Sequence, residues 1–407
     1  MNDDTREKRW QDHFPRRLPR YALLACLALV VVSLGVALLP ARQPEPAEPP
    51  FSEQARAAAL AETLQLLAAG NQLGTAAGGS PADNSADHAE NSEPPAGAGN
   101  PAVERTVTLL TTQARALLAP GESLPGPSGA AATDSGRATP PGSATSSATP
   151  APSAEPSSGS TTEPSAAASA APVPATAAGL VAAIAESGNQ RLADAAVADG
   201  GMARLLAAVG TGQLLQASAL AAGTGITTPP ADAASPQLSG TCPSGSAAGQ
   251  SAEEQSSAGQ SAAISGVGDA LAAVVRTEAQ TIYGYQVALP RLGGDAAESA
   301  AEQLARHGVL LSGAERLSEL HCATVPPREA GYALGQSFLA SPAAGLGGLE
   351  AAALPVYGDL VALSDGETRQ WAIAALLGTG KRAVLWGADP GALPGLDRAA
   401  LESLPAG

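Results

Sequence analysis

Two acids and a histidine at predicted core positions are the residues of this chain best suited to chemistry. Glu278 falls in the apolar seam of a predicted helix, in register with Val274 and Ile282. His307 takes an inward position on the next predicted helix, and Glu350 lies on one face of a third. A buried carboxylate needs a partner, because an unpaired charge is unfavourable inside a protein. These side chains therefore either hydrogen-bond one another or bind a metal ion.

Four predicted helices position these residues. The first spans residues 266–292, and a Gly-Gly turn joins it to the second, residues 295–321. The third begins at Pro342, and the fourth runs from residue 364 to about Trp386. Helices of this length joined by short loops predict an all-α fold with an antiparallel four-helix bundle over residues 262–390.

The third and fourth helices carry local signals of their own. Ser341 is the predicted N-cap of the third, Pro355 predicts a kink in it, and Ser364 with Glu367 forms a predicted capping box for the fourth. Two apolar rows compete for the buried face of the third helix. One comprises Leu346, Glu350, Ala353, Tyr357 and Leu360, and the other Leu349, Val356 and Leu363.

The N-terminal region predicts a membrane segment. Residues 1–20 carry six Lys or Arg residues, and the uncharged run 21–39 is long enough to cross a bilayer. The basic flank places the N-terminus in the cytoplasm and everything after Pro40 outside. A signal peptide cleaved near Ala37 is the alternative interpretation. We therefore expect a single-pass protein of the cell membrane whose C-terminal region is extracytoplasmic.

Residues 40–261 combine helical and low-complexity sequence. Residues 40–50 predict an extended stalk, and residues 223–261 a linker. Between them, residues 51–222 predict a helical region interrupted at 121–174 by Pro-, Ser- and Ala-rich sequence that cannot bury enough apolar surface to fold. The helical segments form either a small separate bundle or loosely associated helices. Residues 391–407 are the predicted tail.

Two cysteines lie beyond the predicted membrane segment, Cys242 and Cys322. An exported chain meets an oxidising space in which cysteines pair. Neither cysteine belongs to a Cys-x-x-Cys motif, so a structural disulfide between them is predicted rather than a redox site. Closing a loop of this length stabilises a fold by about 4 kcal/mol on the chain-entropy estimate.

Other functions find little support. A formal charge of −16 and a pI near 4.6 disfavour nucleic acid as a partner, because phosphate binding needs a basic surface. The run Gly378 to Arg382 resembles the end of a phosphate loop but lacks its first glycine and its hydroxyl. No nucleophile motif is present, and no catalytic residue is predicted.

Residues 265–390 resemble the ferritin-like domain of unknown function found in exported proteins of high-GC Gram-positive bacteria. The residues that carry the resemblance are Glu278 with Ile282-Tyr283-Gly284-Tyr285, His307, Leu349-Glu350 through Tyr357, and the helix from Trp371 to Trp386. The resemblance implies a ferritin-like bundle and no established activity.

The wider ferritin-like superfamily implies a test of the metal hypothesis. A di-iron bundle takes Glu from each of two helices and Glu-x-x-His from each of the other two. Glu278 and Glu350 match the single acids, but Leu304 stands three before His307, and residues 368–386 contain no Glu, Asp or His. We therefore expect no cofactor. A single site for iron or another divalent metal, built from Glu278, His307 and Glu350, is the alternative.

The expected function is that of a membrane-anchored binding or structural module of the cell envelope, without catalysis. Its partners would be the membrane, through residues 21–39, and an unidentified envelope protein or ligand; the sequence does not set the oligomeric state. The alternative is a metal-binding or redox protein that uses the inward acids and histidine.

Overall fold

The computed structural model describes residues 23–31, 48–78, 100–124, 174–227, 235–242 and 266–396. Every regular element in these ranges is helical, which confirms the predicted all-α fold. The predictions for residues 1–20, for most of the 21–39 segment and the stalk, and for nearly all of the 121–174 insertion lie outside the described residues. So do those for most of the 223–261 linker and for the end of the tail.

The chain divides into two units, Met1–Pro49 and Pro50–Gly407. In the first unit, residues 23–31 form a helix, α1, whose Leu and Val side chains are exposed. In the second, the described helices are α2 (Phe51–Gly78), α3 (Pro101–Leu117), α4 (Ala177–Val197), α5 (Gly200–Thr224), α6 (Val267–Ala288), α7 (Gly294–Leu320), α8 (Gln336–Ala340), α9 (Pro342–Leu363) and α10 (Gly366–Leu385), with a 3₁₀ turn at Leu289–Arg291.

Side-chain caps set the start of three N-terminal helices. Asn100, Thr176 and Asp199 each accept a hydrogen bond from a backbone N–H in the first turn of α3, α4 and α5. The cap at Asp199 separates α4 from α5. Gly225 ends α5 in the left-handed conformation with φ of 70°.

The N-terminal helices pack on the C-terminal ones. One continuous core joins Leu117, Leu206 and Val209 of the N-terminal helices to Leu271 and Leu376 of the C-terminal ones. Helix α5 packs against α9 and α10, and α4 packs against α10. Helices α2 to α5 also share a smaller core of their own. The helices on both sides of the 121–174 insertion therefore belong to one compact unit.

The C-terminal helices pack around the candidate residues. Helix α6 lies against α7 and α9, and α9 lies against α10. In α9 the predicted row containing Glu350 is buried, whereas Leu363 of the competing row is exposed. The helix continues through Pro355 to Leu363.

The predicted capping box at the start of α10 is wrong. The N-cap is Asp365, and no side-chain hydrogen bond caps the helix. The Ser364 hydroxyl instead donates to the Leu360 carbonyl, because Ser364 is buried at the end of α9 and satisfies a terminal carbonyl of that helix. Ser341 does occupy the N-cap of α9, but without a side-chain cap bond.

The predicted disulfide between Cys242 and Cys322 is present, with the two Cα atoms 5.4 Å apart. It fixes residues 235–242 to the end of α7, where Arg316 also donates to the Gly240 carbonyl at 2.6 Å. Cys322 adopts a φ of 54°.

Residues 391–396, in the predicted tail, pack on the helices. Leu393 is buried in the main core. The Gln113 amide donates to the Ala392 carbonyl at 2.9 Å, and Arg204 Nε donates to the Gly395 carbonyl at 2.8 Å. These bonds connect the end of the C-terminal region to α3 and α5.

Two described helices are long and apolar enough to cross a membrane, Gly200–Thr224 and Pro342–Leu363. Half or more of each is buried inside the protein, as the core helices of water-soluble folds are.

Candidate functional site

The structure brings the three predicted site residues into contact. His307 Nδ1 lies 2.7 Å from Glu278 Oε2, and His307 Nε2 lies 2.7 Å from Glu350 Oε1. All three side chains are buried, and none exposes more than 1% of its surface. The histidine of α7 therefore bridges the carboxylates of α6 and α9.

Two tyrosines donate hydrogen bonds to the carboxylates, each to the acid on the other helix. The Tyr285 hydroxyl on α6 donates to Glu350 Oε1 on α9 at 2.8 Å, and the Tyr357 hydroxyl on α9 donates to Glu278 Oε1 on α6 at 2.7 Å. Trp386 Nε1 donates in turn to the Tyr285 oxygen at 2.7 Å. Each helix thus supplies one acid and the donor for the acid of the other.

Helical spacing explains this exchange. Tyr285 follows Glu278 by seven residues and Tyr357 follows Glu350 by seven, which places each pair two turns apart on one face. A side chain at Gly284 would overlap Leu349, so the glycine permits the close approach of α6 and α9. The repeated Glu-x6-Tyr spacing is the sequence signal for the paired site, because it recurs on two separate helices.

Arg382 of α10 is the site residue that sequence reasoning missed. Its Nε donates to both carboxylate oxygens of Glu350, at 3.1 and 3.0 Å, and its Nη2 donates to the Thr379 hydroxyl at 2.8 Å. The sequence places Arg382 near the end of a helix, in a run that resembles part of a phosphate loop. Nothing in that run indicates that the side chain is buried.

Hydrogen bonds set the protonation of the site. Burial lowers the pKa of His307, but the hydrogen bonds to Glu278 and Glu350 and the charges of those carboxylates outweigh burial and raise it. Burial raises the pKa of Glu350, but the His307 hydrogen bond and the Arg382 charge outweigh burial and lower it. Two carboxylates, one imidazolium and one guanidinium leave the cluster neutral.

The two tyrosines stay protonated in this environment. Burial, together with the charge of Glu350, raises the pKa of Tyr285. Burial, together with the charge of Glu278, raises the pKa of Tyr357 well above its ordinary value. Both hydroxyls are therefore permanent donors to the carboxylates across the physiological range.

The arrangement does not fit a ferritin-type di-metal centre. Each ring nitrogen of His307 directs its N–H at a carboxylate oxygen, so neither nitrogen has a lone pair free to bind a metal ion. Helix α10 contributes a guanidinium, which repels cations, where a di-metal bundle supplies Glu and His. Among the described residues, no group of three His, Cys, Asp or Glu side chains is arranged to hold a metal ion.

The remaining predicted sites lie apart from this cluster. The linked Cys242 and Cys322 connect the end of α7 to the preceding segment and contribute no atom to it. Gly378 to Arg382 lies within α10, so its backbone does not form a phosphate loop.

Comparison with known families finds one match. Residues 270–398 match the family described as Domain of unknown function (DUF4439), an uncharacterised domain. This agrees with the predicted position of a domain of unknown function in the C-terminal third of the chain. No curated protein and no solved structure matches the chain.

Proposed function

We propose that residues 267–385 form a ferritin-like four-helix bundle that acts as a binding or structural module of the cell envelope, anchored through residues 21–39. The neutral buried cluster supports this role best, because each carboxylate is paired with donors of the protein itself. His307 and Arg382 supply the charge that a metal pair supplies in a di-iron bundle. Such a cluster fixes the register of α6, α7, α9 and α10.

Metal analysis of the full chain, purified in detergent and dialysed, tests this proposal. We expect substoichiometric iron, manganese and zinc, and no rise in Tm when any of these metals is added. Glu278→Ala should lower Tm without changing metal content. Glu302→Ala, at an exposed acid, is the matched control.

The second candidate is a metal-binding or redox protein that uses Glu278, His307 and Glu350. Its supporting observation is that the three side chains meet in the core. One ring nitrogen of His307 lies 2.7 Å from an oxygen of Glu278, and the other lies 2.7 Å from an oxygen of Glu350. A stoichiometric metal that survives dialysis and disappears in Glu278→Ala would replace the first proposal with this one.

The proposed anchor has its own test. Protease added to cells stripped of wall should cut the linkers and spare residues 1–20, because the basic flank holds the N-terminus in the cytoplasm. The exposed apolar side chains of α1, among them Leu24 and Leu27, suit a lipid environment. Protection of residues 267–385 in intact cells would contradict the proposed orientation.

A further inference from the structure

A layer of polar side chains crosses the apolar interior of helices α2 to α5. Each of these helices contributes one residue to it, and each of the residues is 0% exposed. These residues, the polar layer, are Thr63 of α2, Gln113 of α3, Ser187 of α4 and Gln213 of α5. The layer is separate from the cluster around His307, because it belongs to the N-terminal helices.

The polar layer lies between two hydrophobic cores. On every helix the buried row passes from a residue of the main core to a residue of the smaller core, and the polar residue lies between them. The flanking pairs are Ala59 and Leu66, Leu117 and Leu110, Leu192 and Ile184, and Leu206 and Leu220. Each polar residue is three or seven positions from its neighbour in the smaller core, a spacing that keeps both on one helix face. All four side chains therefore point into the interior of the bundle.

Helix α4 brings Ser187 to the level of Thr63. Arg191 of α4 pairs with Glu62 of α2 at 3.0 Å. Ser187 is one turn of α4 from Arg191, and Thr63 follows Glu62 directly. One turn rises about 5.4 Å, so the two hydroxyls belong to one layer.

Helices α3 and α5 bring the two glutamines to the same level. Leu214 packs against Gly188, where a Cβ would lie 2.8 Å from the Leu214 side chain. Ser187 and Gln213 are the preceding residues on these two helices. The Gln113 amide donates to the Val209 carbonyl at 3.2 Å, one turn before Gln213. The four polar residues therefore lie within about one turn of one another along the bundle.

Five atoms of the polar layer make no hydrogen bond to any residue that the structure describes. They are Thr63 Oγ1, Gln113 Oε1, Ser187 Oγ, and both Oε1 and Nε2 of Gln213. A hydroxyl inside a helix can donate to the carbonyl four residues earlier, as that of Thr106 does at 2.8 Å, but those of Thr63 and Ser187 do not. Buried polar groups are almost always hydrogen-bonded, so five unpaired atoms in one layer point to a ligand that pairs with them.

The unpaired groups define the chemistry of that ligand. Two hydroxyls can donate or accept, two amide oxygens accept, and one amide nitrogen donates. The four side chains carry no charge, and an ion buried among them would lack a counter-charge, which is unfavourable. The ligand is therefore small, uncharged and able both to donate and to accept. Water meets these requirements, and buried water typically makes two to four such bonds.

We propose that the polar layer is an internal binding site for small uncharged hydrogen-bonding molecules, and that ordered water occupies it. Water bonded to Thr63, Ser187 and Gln213 links α2, α4 and α5 through the interior. Gln113 adds α3 through its Oε1, while its Nε2 holds the Ala392 carbonyl at 2.9 Å. The inference goes beyond the proposed function and rests neither on the ferritin-like bundle nor on the membrane anchor.

Oxygen-17 magnetic relaxation dispersion of the full chain in detergent tests the proposal, because this method counts water molecules held inside a protein. Thr63→Val and Gln213→Met remove unpaired polar atoms with little change of shape. We expect each to lower the dispersion amplitude by on the order of one water molecule. Each should also lower Tm, because the polar groups that remain lose their water-mediated bonds. Ser187→Ala, the smallest change in the layer, replaces either variant if its circular dichroism is not native.

Thr106→Val is the matched control. Thr106 is equally buried, but its hydroxyl donates to the Ala102 carbonyl and accepts from the Gln216 amide. We expect its dispersion amplitude to equal that of the unmodified chain.

An unchanged amplitude in both Thr63→Val and Gln213→Met would overturn the proposal. So would a raised Tm in both, because removing polar atoms that are truly unpaired stabilises a protein. An equal fall of the amplitude in Thr106→Val would assign the lost water to another place. A stoichiometric organic molecule found by native mass spectrometry, and lost in both variants of the layer, would overturn water as the occupant.

Discussion

Glu278 and Glu350 are stable in the core because each carboxylate oxygen faces a donor. Glu278 accepts hydrogen bonds from His307 and Tyr357. Glu350 accepts hydrogen bonds from His307, Tyr285 and Arg382. A buried ion pair adds little net stability over an apolar pair, yet removal of one member leaves the others uncompensated. The cluster therefore specifies one arrangement of helices more than it adds to the free energy of unfolding.

Glu278→Gln tests this view at a single residue. The substitution keeps the shape of the side chain but leaves the imidazolium of His307 with one carboxylate instead of two. We expect the free energy of unfolding to fall by about 3–5 kcal/mol. Urea titration followed by circular dichroism measures it, with the exposed Glu302→Gln as a control expected to change by about 1 kcal/mol or less. Equal effects of the two substitutions would refute the role of the cluster.

The pH dependence of stability follows from His307 and Glu350. The pKa of His307 is raised on folding, so its contribution is complete below the ordinary histidine pKa of about 6.5 and is lost as pH rises through the raised value. The pKa of Glu350 is lowered, so its contribution is present above the ordinary carboxyl pKa and is lost as pH falls through the lowered value.

Urea midpoints measured between about pH 3 and pH 9 should therefore pass through a maximum. In His307→Gln the alkaline decline should disappear because the titrating group is gone. Persistence of that decline in the variant would assign it to another group.

At the scale of the elements, backbone contacts decide how closely helices approach. The first residue of α5, Gly200, lies against the carbonyl oxygen of Ala362 near the end of α9, and a Cβ there would overlap it. The neighbouring Gly201 has open space around it. Adjacent glycines thus have different roles, one for packing and one without a steric requirement.

These glycines form a matched pair for mutagenesis. Gly200→Ala should destabilise the protein by about 1–3 kcal/mol because α5 must move away from α9. Gly201→Ala should stabilise it by about 0.4–1 kcal/mol through helix propensity and reduced freedom of the unfolded chain. Thermal unfolding of both variants measures the two changes in stability. Destabilisation by Gly201→Ala would show that chain flexibility, rather than packing, is important at residue 201.

The end of α7 uses a cysteine where many helices use glycine. Cys322 lies in the left-handed region, and the Ala323 N–H bonds back to the Ser318 carbonyl at 2.8 Å, as in helix ends that close on a left-handed residue. A side chain in this conformation costs about 1–2 kcal/mol. The disulfide to Cys242 requires the side chain nonetheless.

On a Cys242→Ser background, Cys322→Gly should be more stable than Cys322→Ser by about 1–2 kcal/mol, because glycine relieves the left-handed strain. Chemical denaturation of the two double variants measures the difference. Both double variants should be less stable than the disulfide-linked chain. The loss should be about 2–5 kcal/mol in the variant with Cys322→Ser and smaller in the variant with Cys322→Gly. Equal stability of the two variants would show that residue 322 leaves the left-handed conformation when the bond is absent.

At the scale of the whole molecule, one core links the N-terminal and C-terminal helices. Leu206 of α5 is fully buried in it together with Leu360 and Leu376. Residues 391–396 reinforce the connection through hydrogen bonds from Gln113 and Arg204. We therefore expect the compact unit to unfold in one transition despite the low-complexity sequence between α3 and α4.

Leu206→Ala tests this cooperativity. It should cost about 2–5 kcal/mol and shift the circular-dichroism and tryptophan-fluorescence transitions equally. Trp371 and Trp386 report from the C-terminal helices, whereas the mutated residue lies in an N-terminal one. Val309→Ala, at an exposed valine, should change little. A shift of the dichroism transition alone would mean that the two sets of helices unfold independently.

The sequence by itself determined the helical class, the inward positions of Glu278 and His307, and the pairing of the cysteines. For Glu350 it left two competing faces of the third helix, and only the packing of α9 against α6 and α10 chose between them. Helical periodicity is a local property. The spacing of an acid from the apolar residues around it therefore shows that the acid lies on the same helix face as they do. With Cys26 inside the predicted membrane segment, only two cysteines lay beyond it, so one pairing was available there.

Only the tertiary structure decided which groups those side chains meet. Arg382 reaches Glu350 from a helix whose sequence gives no sign of it, and Ser364 serves the end of α9 rather than the start of α10. Docking of α4 and α5 on α9 and α10 was equally unpredictable, because apolar faces rich in alanine fit many partners. Contacts between distant segments depend on how whole helices approach one another, which no local pattern encodes.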